Sequence, residues 1–102
     1  MSIKLNLAND RTVIAIDGRF DFELHDAFRE CLDEALARKE RVPLEVDLSR
    51  VDSLESSALG MLLVMRDKAK AIGAERVALV GCRGFVRQIL DVASFSKFFD
   101  IR

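Results

Sequence analysis

Hydrophobic and polar residues alternate in the first two segments of the chain. The stretch IKLNL places Ile3, Leu5 and Leu7 at every second position, and TVIAIDG continues with the same period. The polar tripeptide NDR separates the two stretches. Alternation of this kind on both sides of a short polar connection predicts a β-hairpin.

The next segment changes to helical spacing. In DFELHDAFRECLDEALARKE the acidic residues come early and the basic residues late, as the helix dipole favours. Asp21 is the predicted N-cap of this helix, because a carboxylate at that position accepts hydrogen bonds from free backbone N–H groups. The predicted apolar stripe consists of Leu24, Phe28, Cys31, Leu32, Ala35 and Leu36.

Strand and helix signals alternate through the rest of the chain. LEVDLS predicts a short strand, RVALVG a strand buried on both faces, and KFFDIR a last short strand. Between them, SSALGMLLVMRDKAKAIG predicts a helix that ends at Gly73, and FVRQILDVA predicts a third helix. The order β-β-α-β-α-β-α-β predicts an α/β fold whose sheet has parallel members. The residues predicted to point inward from the third helix are Phe85, Val86, Ile89, Leu90 and Ala93.

The first half of the second predicted helix is apolar on two sides. Its two apolar faces are formed by Leu59, Leu62 and Leu63 and by Ala58, Met61 and Met65. Neighbouring helices can cover both faces. Alternatively, part of this surface is left for a protein partner, to which flexible methionine side chains adapt well.

Ser56 and Ser57 stand at the start of the same helix, where backbone N–H groups lack intrahelical acceptors. A serine at this place caps the helix and contributes about 1 kcal/mol. A phosphorylated serine would instead bring about two negative charges to the positive end of the helix dipole. The fold tolerates such a charge, whereas a partner docked there does not. The pair therefore has a structural and a regulatory interpretation.

Composition and charge narrow the class of protein. The chain has 102 residues, half of them hydrophobic and about a third charged, which is typical of one globular domain spanning residues 1–102. The 16 basic and 17 acidic residues are scattered, so no basic patch favours nucleic acid as a partner. The first residues lack a signal-peptide core, and no apolar run has membrane-spanning length. We therefore expect a cytoplasmic protein without membrane association, and the small size and balanced charge favour a monomer.

Cysteine and histidine form no recognisable catalytic or metal site in the sequence. Cys31 and Cys82 lack metal-ligand spacing and are expected to be reduced packing residues. VGCRGF, around Cys82, lacks the spacing of a nucleophile elbow. His25, the one histidine, is expected on the surface of the first helix. We therefore expect no enzyme activity, no cofactor and no metal.

The central segment VDLSRVDSLESSALGMLL resembles the signature of the STAS domain, the sulfate-transporter and anti-sigma-factor-antagonist family. In that signature a strand ends in Asp-Leu-Ser, and a short loop leads to Asp-Ser-Ser-Gly-Leu-Gly at the start of a helix. The resemblance extends to IDGRFDF, which matches a Gly-x-x-Asp turn, and to GFVRQILDVASFSKFFDI, which matches the third helix and a Phe-rich last strand. The chain is most similar to the short bacterial anti-sigma factor antagonists. The resemblance implies a mixed, mostly parallel sheet of about five strands with helices mainly on one face.

The resemblance also implies a switch between protein partners. An anti-sigma factor with a serine-kinase fold phosphorylates the first serine of the pair, Ser56, with Ser57 as the less favoured acceptor, and a PP2C-type phosphatase removes the phosphate. The unphosphorylated antagonist binds the anti-sigma factor and releases the sigma factor or another client, and it catalyses no reaction itself. The implied partner-binding residues are Asp21, Phe22, Ser53, Glu55, Ser57, Ala58 and Met61.

Two residues depart from the signature, since Glu55 replaces its Asp and Ala58 replaces its first Gly. Neither change removes the hydroxyl of Ser56. The family's C-terminal helix has no counterpart before Arg102. An accessory or scaffold subunit of a transport or signalling complex, never phosphorylated, would use the same fold and the same docking helix. The sequence leaves this alternative open.

Overall fold

The amino-terminal hairpin forms one edge of the sheet. In the computed structural model, which describes residues 2–74 and 76–102, β1 (Ser2–Leu7) pairs antiparallel with β2 (Thr12–Phe20). Ile3 lies opposite Ile16 and Leu5 opposite Ile14, so the alternating apolar residues share one face. The predicted hairpin is confirmed.

The remaining strands lie parallel to β2, and strands that follow each other in sequence are neighbours in the sheet. The order is β1-β2-β3-β4-β5, with β1 the antiparallel member. The other elements are a 3-10 turn (Phe22–Leu24), α1 (His25–Leu36), β3 (Leu44–Leu54), α2 (Ser56–Ala71), β4 (Ala78–Val80), α3 (Gly84–Val92), a second 3-10 turn (Phe95–Lys97) and β5 (Asp100–Ile101). The predicted α/β fold and element order are confirmed.

The hydrophobic core lies between the helices and one face of the sheet. Alternate residues in the middle of β2 and in the first half of β3 are buried in it, namely Ile14 and Ile16 of β2 and Val46 and Leu48 of β3. They share one cluster with the inward side chains of the helices, which include Phe28, Leu32, Leu62, Met65, Val86 and Leu90. In the described ranges, no helix has the length and apolar character required to cross a bilayer.

The opposite face of the sheet carries a buried carboxylate. Glu45 of β3 is 8% exposed, and its two oxygens lie 3.6 Å from the guanidinium of Arg11 and 3.5 Å from that of Arg102. The attraction of these two guanidinium groups offsets part of the cost of burying the carboxylate. The face without helices is therefore polar at its centre.

The third strand is longer than the sequence predicts. LEVDLS was expected to form a short strand, whereas β3 continues through RVDSL to Leu54. The extra residues pair with the end of β2, where Arg19 lies beside Ser53 and Phe20 beside Leu54, after two register shifts in the ladder. Irregular pairing breaks the alternation on which the sequence prediction rests. The extension brings the end of β3 directly to the start of α2.

Phe85 points outward, contrary to the prediction from the sequence. Its side chain is 69% exposed, while Val86 and Leu90 of α3 are buried. Successive helix residues are separated by about 100°, so Phe85 falls at the margin of the stripe centred on Val86 and Leu90. Ile89 and Ala93, the other residues predicted to face inward, are partly buried.

Candidate functional site

Ser56 is the first residue of α2 and its side chain is exposed. Glu55 occupies the N-cap position with an extended backbone and makes no side-chain cap hydrogen bond. The first hydrogen bond inside the helix end is donated by the backbone N–H of Ala58 to the carbonyl of Glu55, at 2.9 Å. The backbone N–H groups of Ser56 and Ser57 therefore lie at the positive end of the helix without an intrahelical acceptor.

The capping interpretation of the serine pair is wrong in this structure. A capping side chain belongs to the residue before the helix, which has a non-helical backbone, whereas both serines already lie within α2. Within residues 2–74 and 76–102, the hydroxyls of Ser56 and Ser57 make no hydrogen bond to the protein. The hydroxyl of Ser56 is thus both accessible and uncommitted.

The turn after β2 lies next to the start of α2. The backbone N–H of Glu55 donates to the carbonyl of Phe20 at 3.1 Å, which joins the ends of β2 and β3 just before the two elements diverge. Asp21 follows Phe20, and Phe22 begins the 3-10 turn. The Gly-x-x-Asp turn and the serine-tipped helix, separated by more than thirty positions in sequence, are therefore neighbours in the fold.

Asp21 holds this turn in place. It is buried, and one oxygen of its carboxylate accepts from the backbone N–H of Glu23 at 3.0 Å. Asp21 thus caps the 3-10 turn that leads into α1. The prediction that it caps the first α-helix is wrong, because the N-cap of α1 is Leu24, which makes no side-chain cap hydrogen bond. The adjacent Phe22 is 66% exposed and stacks on His25 with ring centroids 5.0 Å apart.

Arg19 is a residue of this site that the sequence analysis missed. Its guanidinium lies 3.2 Å from the carboxylate of Asp21 and 3.8 Å from that of Glu55. It therefore brings a positive charge beside the residue that precedes Ser56. The signal was present in the Gly-x-x-Asp segment, where Arg19 fills one of the two variable positions.

The other residues predicted to bind a partner differ in accessibility. Ser53 in β3 and Ser57 in α2 are half-buried, and Glu55 is exposed. Ala58 is fully buried and Met61 is 7% exposed. Met65 is fully buried, so it offers no surface to a partner, whereas Met61 is almost buried but still lines the groove described next.

The exposed part of α2 instead borders a groove between α1 and α2. Gly60 and Val64 form its edge on α2, and Phe22 closes one end. The groove has a volume of about 410 Å³ and is lined by Phe22, His25, Phe28, Arg29, Leu32, Ser57, Gly60, Met61, Val64 and Lys68. It begins beside the serine pair, so a partner docked at Ser56 can also enter it.

Both cysteines are free thiols, with Cys31 half-buried and Cys82 buried. Burial raises the pKa of the Cys82 thiol to about 11, and the thiol donates to the carbonyl of Leu79 at 3.4 Å. Burial, together with Glu34 and Glu30, also raises the pKa of Cys31. Among the described residues, no group of three or more His, Cys, Asp or Glu side chains is placed to hold a metal ion.

Known proteins resemble the chain in both sequence and fold. A family model described as Mlab, STAS domain matches residues 3–101. A STAS-domain containing protein of Pseudomonas aeruginosa is 41% identical over 88 residues, which cover 86% of this chain and 84% of that protein.

Two solved structures show the same fold at low sequence identity. An anti-sigma factor antagonist from Mycobacterium paratuberculosis superimposes with a TM-score of 0.79 at 17% identity, covering 98% of this chain and 83% of the other. The Bacillus cell fate determinant SpoIIAA in its phosphorylated form gives a TM-score of 0.73 at 16% identity, covering 99% and 91% of the two chains. Sequence, fold and the match over residues 3–101 agree, and the chain belongs to the STAS domain family.

Proposed function

We propose that this STAS domain is an anti-sigma factor antagonist that a single phosphate switches off. In its unphosphorylated form it binds an anti-sigma factor that is also a serine kinase, and thereby frees the sigma factor or another client of that kinase. Phosphorylation of Ser56 ends the binding, and a PP2C-type phosphatase restores it. The domain acts by occupying its partner rather than by catalysing a reaction.

The accessibility of the Ser56 hydroxyl carries this proposal. The side chain is exposed and its hydroxyl has no hydrogen-bond partner in the described chain, whereas Ser57 is half-buried at the edge of the groove. A kinase can therefore reach Ser56 without local unfolding. In the transfer, the Ser56 oxygen bonds to the γ-phosphorus of ATP, the serine proton is released, and ADP leaves.

The same position explains why a phosphate there would leave the fold intact. The free N–H groups at the start of α2 and the dipole of this sixteen-residue helix favour an anion. Arg19 supplies a further positive charge 3.8 Å from Glu55. The charge would nevertheless alter the exposed surface, because Ser56 directly precedes Ser57, which lines the groove beside α2.

The proposed contact surface combines the two chain segments that meet here. Asp21 and Phe22 contribute from the turn, and residues 53–61 contribute from the end of β3 and the first turns of α2. Within it, exposed Phe22 offers an apolar ring of the kind that anchors interfaces. Asp21 is buried, so its proposed contribution is indirect: it holds the turn that presents Phe22 to the partner.

The direct test is phosphate mapping combined with binding. The wild type is co-expressed with the cognate kinase and its intact mass is measured, after which peptide sequencing by mass spectrometry locates the phosphate. We expect one phosphate on Ser56, none in Ser56→Ala, and retained modification in Ser57→Ala. In pull-downs with the same kinase, wild type and Ser56→Ala should bind, and Ser56→Asp should bind weakly.

Two results would contradict the proposal. Phosphate on Ser57 alone would move the switch by one residue to a half-buried hydroxyl. Equal binding of wild type and Ser56→Asp, with no phosphate on either serine, would favour the unphosphorylated accessory subunit, which docks through the same helix.

A further inference from the structure

Gly60 lies inside α2 at a position where the fold does not require glycine. A Cβ atom built on this residue would meet no other atom within 4 Å, and the residue is exposed. Glycine in the interior of a helix costs about 1 kcal/mol relative to alanine. The missing side chain therefore has no packing explanation within the described chain.

The effect of Gly60 is to lower one wall of the groove between α1 and α2. The floor of the groove is formed by buried Phe28, Leu32 and Met61. At its rim, Phe22 is 66% exposed and Val64 is 53% exposed. Exposed large apolar side chains around an apolar depression are typical of a surface that is covered in use.

The charged residues that line the groove are basic. Arg29 and Lys68 contribute the charged groups of the lining, His25 adds a polar ring, and no carboxylate lines the groove. Two carboxylates outside the lining contact it, since Asp33 lies 3.8 Å from the Lys68 amine and Asp26 lies 3.3 Å from the His25 Nδ1 atom. An occupant with carboxylates beside an apolar stripe would match both the floor and the rim.

We propose that this groove binds an amphipathic helix of the partner protein, with apolar residues inserted over Gly60 and Asp or Glu residues facing Arg29 and Lys68. A channel between two helices suits a helix laid along it. The inference rests on the proposed function, since it names the segment by which the antagonist holds its partner.

This arrangement also explains how one phosphate displaces the partner. Ser57 lines the groove, and Ser56 precedes it at the same end. A phosphate on Ser56 adds negative charge beside a basic groove. It therefore repels the carboxylates of the docked helix while Arg29 and Lys68 still attract them.

The proposal is tested with two fluorescein-labelled peptides of about 16 residues, long enough for a helix to form on binding. Both carry leucines at helical spacing; one is flanked by glutamates and the other by lysines. Binding to the full chain is measured by fluorescence anisotropy, and the contact surface is mapped by amide chemical shifts in NMR spectra. We expect the glutamate peptide to bind roughly tenfold more tightly, a difference that shrinks with added salt.

Two leucine substitutions provide a matched pair of variants. Gly60→Leu fills the groove and should weaken binding of the glutamate peptide by at least about tenfold. Gln88→Leu adds the same side chain at an exposed position of α3 and should bind like the wild type. Far-UV circular dichroism verifies that both variants keep the fold.

The outcomes that overturn the proposal are specific. It is wrong if neither peptide binds, if both bind equally, if Gly60→Leu binds like the wild type, or if the shifts map outside α1 and α2. Tighter binding of laurate in the groove would make the occupant a small amphiphile, and dimerisation through the groove in sedimentation experiments would make it a second copy. Either result contradicts a partner helix.

Pull-downs with the kinase distinguish failure of the phosphorylation switch at Ser56 from failure of helix binding in the groove. If Ser56→Asp still loses the kinase in pull-downs while Gly60→Leu keeps it, the switch stands and the groove is not the docking site. If Gly60→Leu loses the kinase while Ser56→Asp keeps it, the groove stands and phosphorylation of Ser56 does not control it.

Discussion

The guanidinium of Arg19 lies 3.2 Å from the buried carboxylate of Asp21, at the point where the end of β2 meets the residue before Ser56. The Asp21 carboxylate thus contacts two groups, since one oxygen faces Arg19 and the other accepts from the backbone N–H of Glu23. These contacts hold the turn that lies next to the start of α2.

Asp21→Ala should lower the free energy of unfolding by about 1–2 kcal/mol, because it removes the cap of the 3-10 turn and leaves the backbone N–H of Glu23 without its acceptor. Asp21→Asn should lower it less, since an amide oxygen still accepts from Glu23. Arg19→Ala should change it by less than about 0.5 kcal/mol, because the guanidinium is exposed. The chain has no Trp or Tyr, so urea unfolding is followed by far-UV circular dichroism. Equal effects of all three substitutions would contradict this ranking.

Charge at the start of α2 should be tolerated by the fold. Ser56→Asp should be more stable than Ser56→Asn by about 0.3–1 kcal/mol, because the carboxylate faces the positive end of the helix dipole. The matched comparison lies at the other end of the helix, where Ala71→Asp should be less stable than Ala71→Asn by a similar amount. Urea midpoints at low salt measure both differences. If the Asp variant is more stable than the Asn variant at both positions, or less stable at both, the helix dipole does not determine the effect of charge at Ser56.

Gly60 and Gly81 should respond oppositely to substitution by alanine. Gly60→Ala should raise the free energy of unfolding by about 0.5–1 kcal/mol, because it adds helix propensity in open space. Gly81→Ala should lower it by at least about 2 kcal/mol. At Gly81, φ is +72° and a Cβ atom would lie 2.6 Å from the Cβ atom of Ser49 and 2.8 Å from its backbone nitrogen. Destabilisation by Gly60→Ala would mean that the groove wall is packed rather than open.

Stability should fall in alkaline solution because of Cys82. Its pKa is about 11 in the folded chain and about 8.5 in an unfolded one, so the unfolded state loses its thiol proton first. The contribution of the buried neutral thiol is therefore complete below about pH 8.5 and is lost as the pH rises toward about 11. The difference in unfolding free energy between wild type and Cys82→Ala, measured in reducing buffer, should shrink over this window. If that difference stays constant between about pH 8.5 and 11, the loss of stability does not come from the Cys82 thiol.

The sequence predicted most elements because their signals are local. Alternation in β1 and β2, the stripe of α1 and the glycine stop after α2 each depend on residues within a few positions of one another. The prediction from the sequence failed where the extent of a strand depends on its pairing with another strand. The continuation of β3 to Leu54 follows from bulged pairing with β2, and that partner lies about thirty residues earlier.

The candidate site shows the same division. The serine pair, its place at the start of a helix and the Gly-x-x-Asp turn were recognisable in the sequence. The exposure of each serine depends on the residue at which α2 begins. Since β3 ends at Leu54 and Glu55 is the N-cap, α2 begins at Ser56. The role of Arg19 depends on two carboxylates from separate segments.

The sequence by itself determined the order of strands and helices, the family to which the chain belongs and the two segments that carry the candidate chemistry. Only the tertiary structure decided that Phe85 faces outward, that Met61 and Met65 are core residues and that Gly60 opens a groove. The reason is physical. Local spacing specifies which side chains share a face, whereas burial of that face depends on the elements packed against it, and these come from distant parts of the chain.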